Sequence, residues 1–202
     1  MSGNVSVYFK LRPDEAIIFV GKTPPECRYF CYDGCLMFRT LGNESRWIWN
    51  DLGDTLNHLV IKTEGTPDGL PGDPFNQTTI VVSTADKDID RRIRTAAQSA
   101  GYSNDIINTQ VIPSSILNMG LDNDSDTFSF YIRPALFQDK QAGKAYIDNT
   151  PAVIFRVTPK EPTELDPYEV PELRVRGTGK TELDLLTIST IYEMPFSVNT
   201  AG

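Results

Sequence analysis

Every cysteine of the chain falls in one stretch, CRYFCYDGCLMFR at 27–39, at the spacing C-x3-C-x3-C. Thiolates converging on one ion could hold zinc or an iron–sulfur cluster, but such a site wants a Gly-rich loop and usually a fourth ligand such as His, and neither is at hand. No metal and no cofactor is therefore expected. The bulky residues around Asp33-Gly34 suit a β-hairpin over 27–40 with a two-residue turn. In that arrangement Cys27 and Cys31 lie four residues apart on one strand face, roughly 13 Å by the strand rise and beyond disulfide reach. The expectation is three reduced, structural thiols.

His58 is the only histidine, so any imidazole acid–base chemistry must pass through it. On a helix Asp54, four residues earlier, would share its face and raise its pKa, and Asp86 offers another carboxylate. His58 with Asp54 or Asp86 is thus the catalytic candidate, a hydrolase-type site. A triad could be drawn with Ser83, but no G-x-S-x-G elbow accompanies it. The candidate ligand site is the end of the run TTIVVS at 78–83, where Ser83, Thr84 and backbone N–H groups open a helix. Arg133 and Arg28 project from strands and could add charge there.

Two further patterns imitate known loops. Arg176-Gly-Thr-Gly-Lys-Thr181 ends like a phosphate loop, but the leading glycine is replaced by Arg174. It reads as a glycine turn with a solvated lysine. Asp86-x-Asp88-x-Asp90 and Asp122-x-Asp124-x-Asp126 begin like calcium loops, yet their sixth positions are Arg91 and Thr127 and their twelfth Ala97 and Arg133, where glycine and glutamate are required. The first is better explained as the acidic start of a helix.

The elements that must carry these residues are mostly strands. Val5, Val7, Phe9 and Leu11 alternate with polar residues, AIIFV at 16–20 is an apolar run closed by Gly21, and Phe128, Phe130 and Ile132 alternate again. AVIFRV at 152–157 makes one more strand. Between Ser83 and Gly101, residues Ile89, Ile93, Ala96, Ala97 and Ala100 line one helix face, with Ser83-x-x-Asp86 as a capping-box-like start. Strand, helix and strand over 78–112 have the length of a βαβ unit. EGTPDGLPGDPFN at 64–76 is a long surface loop. From Thr158 to Pro171 prolines and carboxylates replace apolar residues, which predicts an extended acidic arm, and LDLLTISTIY beyond it is apolar enough to pack back on the body.

A chain of 202 residues can bury a full core, and its 40% hydrophobic and 23% charged residues are those of an ordinary globular protein. A net charge of -8 repels phosphate backbones and anionic lipid, so nucleic acid is not an expected partner. No apolar run approaches the roughly 20 residues that span a bilayer, and the start MSGNVSVYFKL has no charged region followed by an apolar core. The sequons at Asn4, Asn43, Asn76 and Asn123 lean towards an extracytoplasmic origin.

The span YFKLRPDEAIIFVGKTPPECRYFCYDGCLM resembles the strand pattern of a group of bacterial, often exported, jelly-roll-like domains of unknown function. There a strand ending in Gly and a proline turn precede an Arg-Tyr-aromatic-Ser strand; Cys31 stands where Ser is usual. The resemblance implies a β-sandwich and carries over no catalytic residue. The expected fold is α+β, mostly antiparallel, sandwich or jelly-roll-like, with a β-rich body over 1–158 and an arm with a terminal packing segment over 159–202. The expected function is a non-catalytic binding or interaction domain for a small molecule or a protein, with oligomerisation possible through the arm; the alternative is the hydrolase centred on His58.

Overall fold

A computed structural model of the chain describes residues 7–53, 55–161 and 164–169. Asp54, the RGTGKT turn at 176–181 and the LDLLTISTIY segment lie outside the described residues. The fold is α+β, with ten strands and two α-helices among the described residues. One sheet has the order β10-β1-β6-β7, from β1 (Ala16–Lys22), β6 (Thr78–Thr84), β7 (Ile107–Val111) and β10 (Ala152–Val157). In the second, β3 (Cys31–Leu41) pairs with β8 (Thr127–Ile132) on one edge and with β4 (Glu44–Asp51) and β5 (Leu56–Asn57) on the other. Strands β2 (Cys27–Tyr29) and β9 (Ala135–Phe137) form a separate pair, and α2 spans Lys140–Asp148. All pairings are antiparallel except β6 with β7, which α1 (Lys87–Ser99) connects as the predicted βαβ unit.

Side-chain alternation sorts these elements into three layers. From β1 and β6, Ala16, Ile18, Ile80 and Val82 turn towards Ile89 and Ile93 of α1. Their neighbours Phe19 and Val81 turn the other way, onto Tyr32 of the second sheet and Phe30 just ahead of it. Both faces of the two strands are therefore buried, which is why AIIF and TIVV are continuous apolar runs instead of alternating ones.

The structure corrects the hairpin expectation. Asp33 and Gly34 lie in the middle of β3, which runs unbroken through them. Gly34 opposes Phe130 on the core side, and a Cβ there would meet Gln110 Oε1 at 3.1 Å, so glycine makes room for a crossing side chain and turns nothing. Cys31 and Cys35 consequently share one strand, and Cys27 sits on another. The helix start also differs: Asp86 itself is the N-cap, its carboxylate accepting from Ile89 N at 2.9 Å, in place of a Ser83 box. Helix α2 carries an apolar pattern too short to stand out in the sequence; Asp139 caps it, and Tyr146 anchors it by donating to Lys22 O at 3.0 Å.

Glu15, just ahead of β1, ties the first strand to the last. Its buried carboxylate accepts from Arg12 N at 2.8 Å, Arg156 Nη2 at 2.6 Å and Thr158 Oγ1 at 2.5 Å. Burial alone would raise its pKa, but the bonds from Arg156, Thr158 and Arg12 outweigh it, and the group titrates below its ordinary 4.5. A depressed carboxyl stabilises the fold above its unfolded pKa, and that stability is lost as pH falls through the folded value. Glu15→Gln should cost about 1–3 kcal/mol at pH 7 by urea denaturation. The gap to the native protein should close as the pH is lowered below 4.5; a gap that stays constant would show that the charge is immaterial.

Candidate functional site

One helix cannot cover a four-stranded sheet. Helix α1 follows β6 and packs over β6 and the start of β7, so the same face of β1 and β10 is left partly open beside it. On β10 the residues paired with Val20, Ile18 and Ala16 are Val153, Phe155 and Val157, and Phe155 is about half exposed. The result is a cleft of about 690 Å³ floored by Ile18, Val20, Phe155 and Val157, and walled by Ile93, Ala96 and Ala97 of α1. That volume lies in the range of small-molecule sites. The alanines matter because a larger residue on this helix face would close the gap. Arg92, Tyr102, Thr158, Lys160 and Glu161 stand among the lining residues as its polar members.

The described part of the arm helps to build this region. Residues 158–161 line the cleft, and residues 166–168 strap over the first turn of α1. Asp86 Oδ2 accepts from Asp166 N at 2.6 Å, Lys87 N donates to Asp166 O at 2.8 Å, and Tyr168 donates its hydroxyl to Asp90 at 2.9 Å. The Tyr168 phenol, buried and bonded to that carboxylate, is pushed up to about 12, so it remains a donor at neutral pH.

None of the described residues singled out for chemistry lines the cleft. Asp86 is buried and holds the helix start and the strap. Ser83 is buried between the sheets, donating to Gln110 Oε1 at 2.8 Å while Gln110 donates to Tyr32 O at 3.0 Å. Thr84 donates to Glu15 O at 2.9 Å. His58 packs against Tyr29, Phe30 and Phe75, and its Nδ1 is buried without a hydrogen-bond partner. Arg133 lies 3.7 Å from Asp33 on the outer face of the second sheet, and Arg28 lines a second cavity, of about 1040 Å³, with Phe137, Lys140 and Lys144 of β9 and α2. His58, Asp86 and Ser83 thus share no hydrogen bond, and their contacts lie with different neighbours.

The cleft itself had a signal in the sequence that reads equally well as core. Ile93, Ala96 and Ala97 form the apolar helix face, but small residues in its second half leave space only if the sheet extends beyond the helix, which strand order decides.

The three thiols are buried. Cys31 donates to Asp33 Oδ2 at 2.9 Å and Cys35 to Asp51 Oδ1 at 3.1 Å. Burial, reinforced by these carboxylates, pushes Cys31 up to about 11 and Cys35 to about 12, and burial also raises Cys27. Thiols in that state are poor nucleophiles and poor metal ligands at neutral pH. Among the described residues no group of three His, Cys, Asp or Glu side chains is placed to hold a metal ion. Comparison with protein-family models, curated proteins and solved structures finds no match.

A disulfide-exchange reagent at pH 8 should react with the folded protein only as fast as it opens, and should titrate three groups once it is denatured. Rapid native labelling would refute the burial argument, and fewer than three groups after denaturation would refute the reduced state.

Proposed function

We propose that this protein is a non-catalytic binding domain whose cleft beside α1 takes an amphiphilic small molecule: an apolar chain or ring system with an anionic head. The reading rests on one observation, an apolar cleft of about 690 Å³ with Arg92 and Lys160 among its lining residues. Burying an apolar ligand there removes both its surface and that of Phe155 from water, at about 25 cal/mol per Å². The two cations favour an anion, although Glu161 in the same lining limits the number of negative charges the site would accept. The described part of the arm is engaged with its own body through Asp166 and Tyr168, which favours the cleft over the arm as the place where a ligand is met.

Anilinonaphthalene sulfonate, an aromatic probe with a fixed negative charge, tests this directly. The folded protein should bind one equivalent saturably. Ala97→Phe, which fills the cleft, should weaken binding by about tenfold, or about 1.4 kcal/mol. Arg92→Gln should weaken it less, as expected for an exposed charge. Circular dichroism should show both variants folded. Equal affinity in all three proteins would place the probe elsewhere and remove the proposal's basis.

A further inference from the structure

The outer face of the second sheet carries an aromatic ladder that the packing of the described residues does not use. Trp47 and Trp49 of β4 stack with centroids 5.6 Å apart and planes 19° from parallel, and Tyr131 of β8 continues the row 6.5 Å from Trp49. The two indoles are 65% and 54% exposed, unusual for the largest apolar side chains. Trp49 is moreover held at φ 47°, in the left-handed region, where a bulky side chain is strained. The cause is a bulge: Leu36 pairs with Asn50 and Phe38 with Trp47, so Ile48 and Trp49 together oppose the single residue Met37. The fold thus keeps an exposed indole in place against its backbone preference, a pattern found at binding sites.

Polar groups stand beside the rings on the same face. Tyr131 pairs across the ladder with Asp33, and the Asp33 carboxylate, 3.7 Å from Arg133 Nε, orients a guanidinium whose side chain is about half exposed. Asp33 Oδ1 is buried and has no hydrogen-bond partner, so the local acceptors exceed their donors. Asp51, paired with Cys35, is exposed and accepts the thiol through one oxygen only.

We propose that this face is a binding site for a neutral oligosaccharide. A pyranose has an apolar C–H face and a rim of hydroxyls, each at once donor and acceptor. Exposed indole and phenol rings match the first, and adjacent guanidinium and carboxylate groups match the second, Arg133 supplying N–H donors and Asp51 an acceptor. A protein partner is less suited, because apart from Ile48 the strand's other members, Glu44, Ser45, Arg46, Asn50 and Asp51, are exposed and polar and confine the apolar surface to the short run 47–49. The site is independent of the cleft, which lies on the α1 side of the other sheet.

The chain has only two tryptophans and both are in this ladder, so tryptophan emission, excited to the red of tyrosine absorption, reports on it alone. Titration with hexamers of β-1,4-linked glucose, xylose, mannose and N-acetylglucosamine should give, for at least one, a saturable change in emission. Trp49→Ala should lower the affinity about tenfold or more by calorimetry, while sulfonate-probe binding in the cleft stays unchanged. Trp49→Gly should combine lost sugar binding with an undiminished melting temperature, since glycine relieves the strained φ; a merely structural tryptophan would lose both together. No emission change with any of the four sugars up to about 10 mM, or undiminished affinity in Trp49→Ala, overturns the proposal. So does dimerisation of the unliganded protein that Trp49→Ala abolishes, which would make a second copy the occupant.

Discussion

The arrangement depends on two adjacent strands, β1 and β6, that are buried on both faces. Their side chains must satisfy a helix on one side and a second sheet on the other, and the seven-residue register between them, from Ala16 opposite Thr84 to Lys22 opposite Thr78, fixes which residue serves which layer. A shift by one position would exchange Phe19 and Val81 with Ile18 and Val82 and disturb both interfaces at once. The largest apolar contribution to stability is therefore concentrated in about a dozen residues near the middle of the molecule.

Buried carboxylates fasten the periphery to that centre, each in a different way. Glu15 joins the entry of β1 to Arg156 and Thr158 at the end of β10. Asp86 caps α1 and holds the strap, and Asp90 collects Arg94, Thr109 and Tyr168. Asp126, fully buried, accepts from Arg39 Nε at 2.9 Å and from Asn118 N at 2.8 Å, so the DNDSD run at 122–126 closes a loop with its last carboxylate. A buried charge is costly unless paired, and in these cases the partner comes from a distant segment or a capped turn. The acidic composition is thus partly structural.

The two surfaces with unspent apolar area arise from a mismatch between layers. One helix meets four strands, which leaves the cleft; among the described residues the second sheet has a layer on one face only, which leaves Trp47, Trp49 and Tyr131 facing outward. Apolar surface left open in this way costs nothing in fold specificity when polar residues interrupt it, as Glu44, Arg46 and Asp51 do on β4.

What the sequence determined by itself was local and periodic. The apolar runs of β1 and β6, the helix face of α1 with its acidic start, the strand at 152–157 and the α+β class all follow from side-chain period and turn chemistry, which act over a few residues. Three things were decided only by tertiary structure. Asp33-Gly34 carries the chemistry of a turn, yet lies mid-strand because Gln110, from β7, needs the space that glycine leaves. Ser83, Thr84 and Asp86 carry the chemistry of a site, yet their hydrogen bonds go to Gln110, Glu15 and the strap, partners far along the chain. The cleft residues carry the chemistry of a core, and only the strand order β10-β1-β6-β7, set by pairings between the first and last strands of the body, leaves them uncovered. Local preference is written in neighbouring residues; which surfaces remain open depends on pairings between segments more than a hundred residues apart.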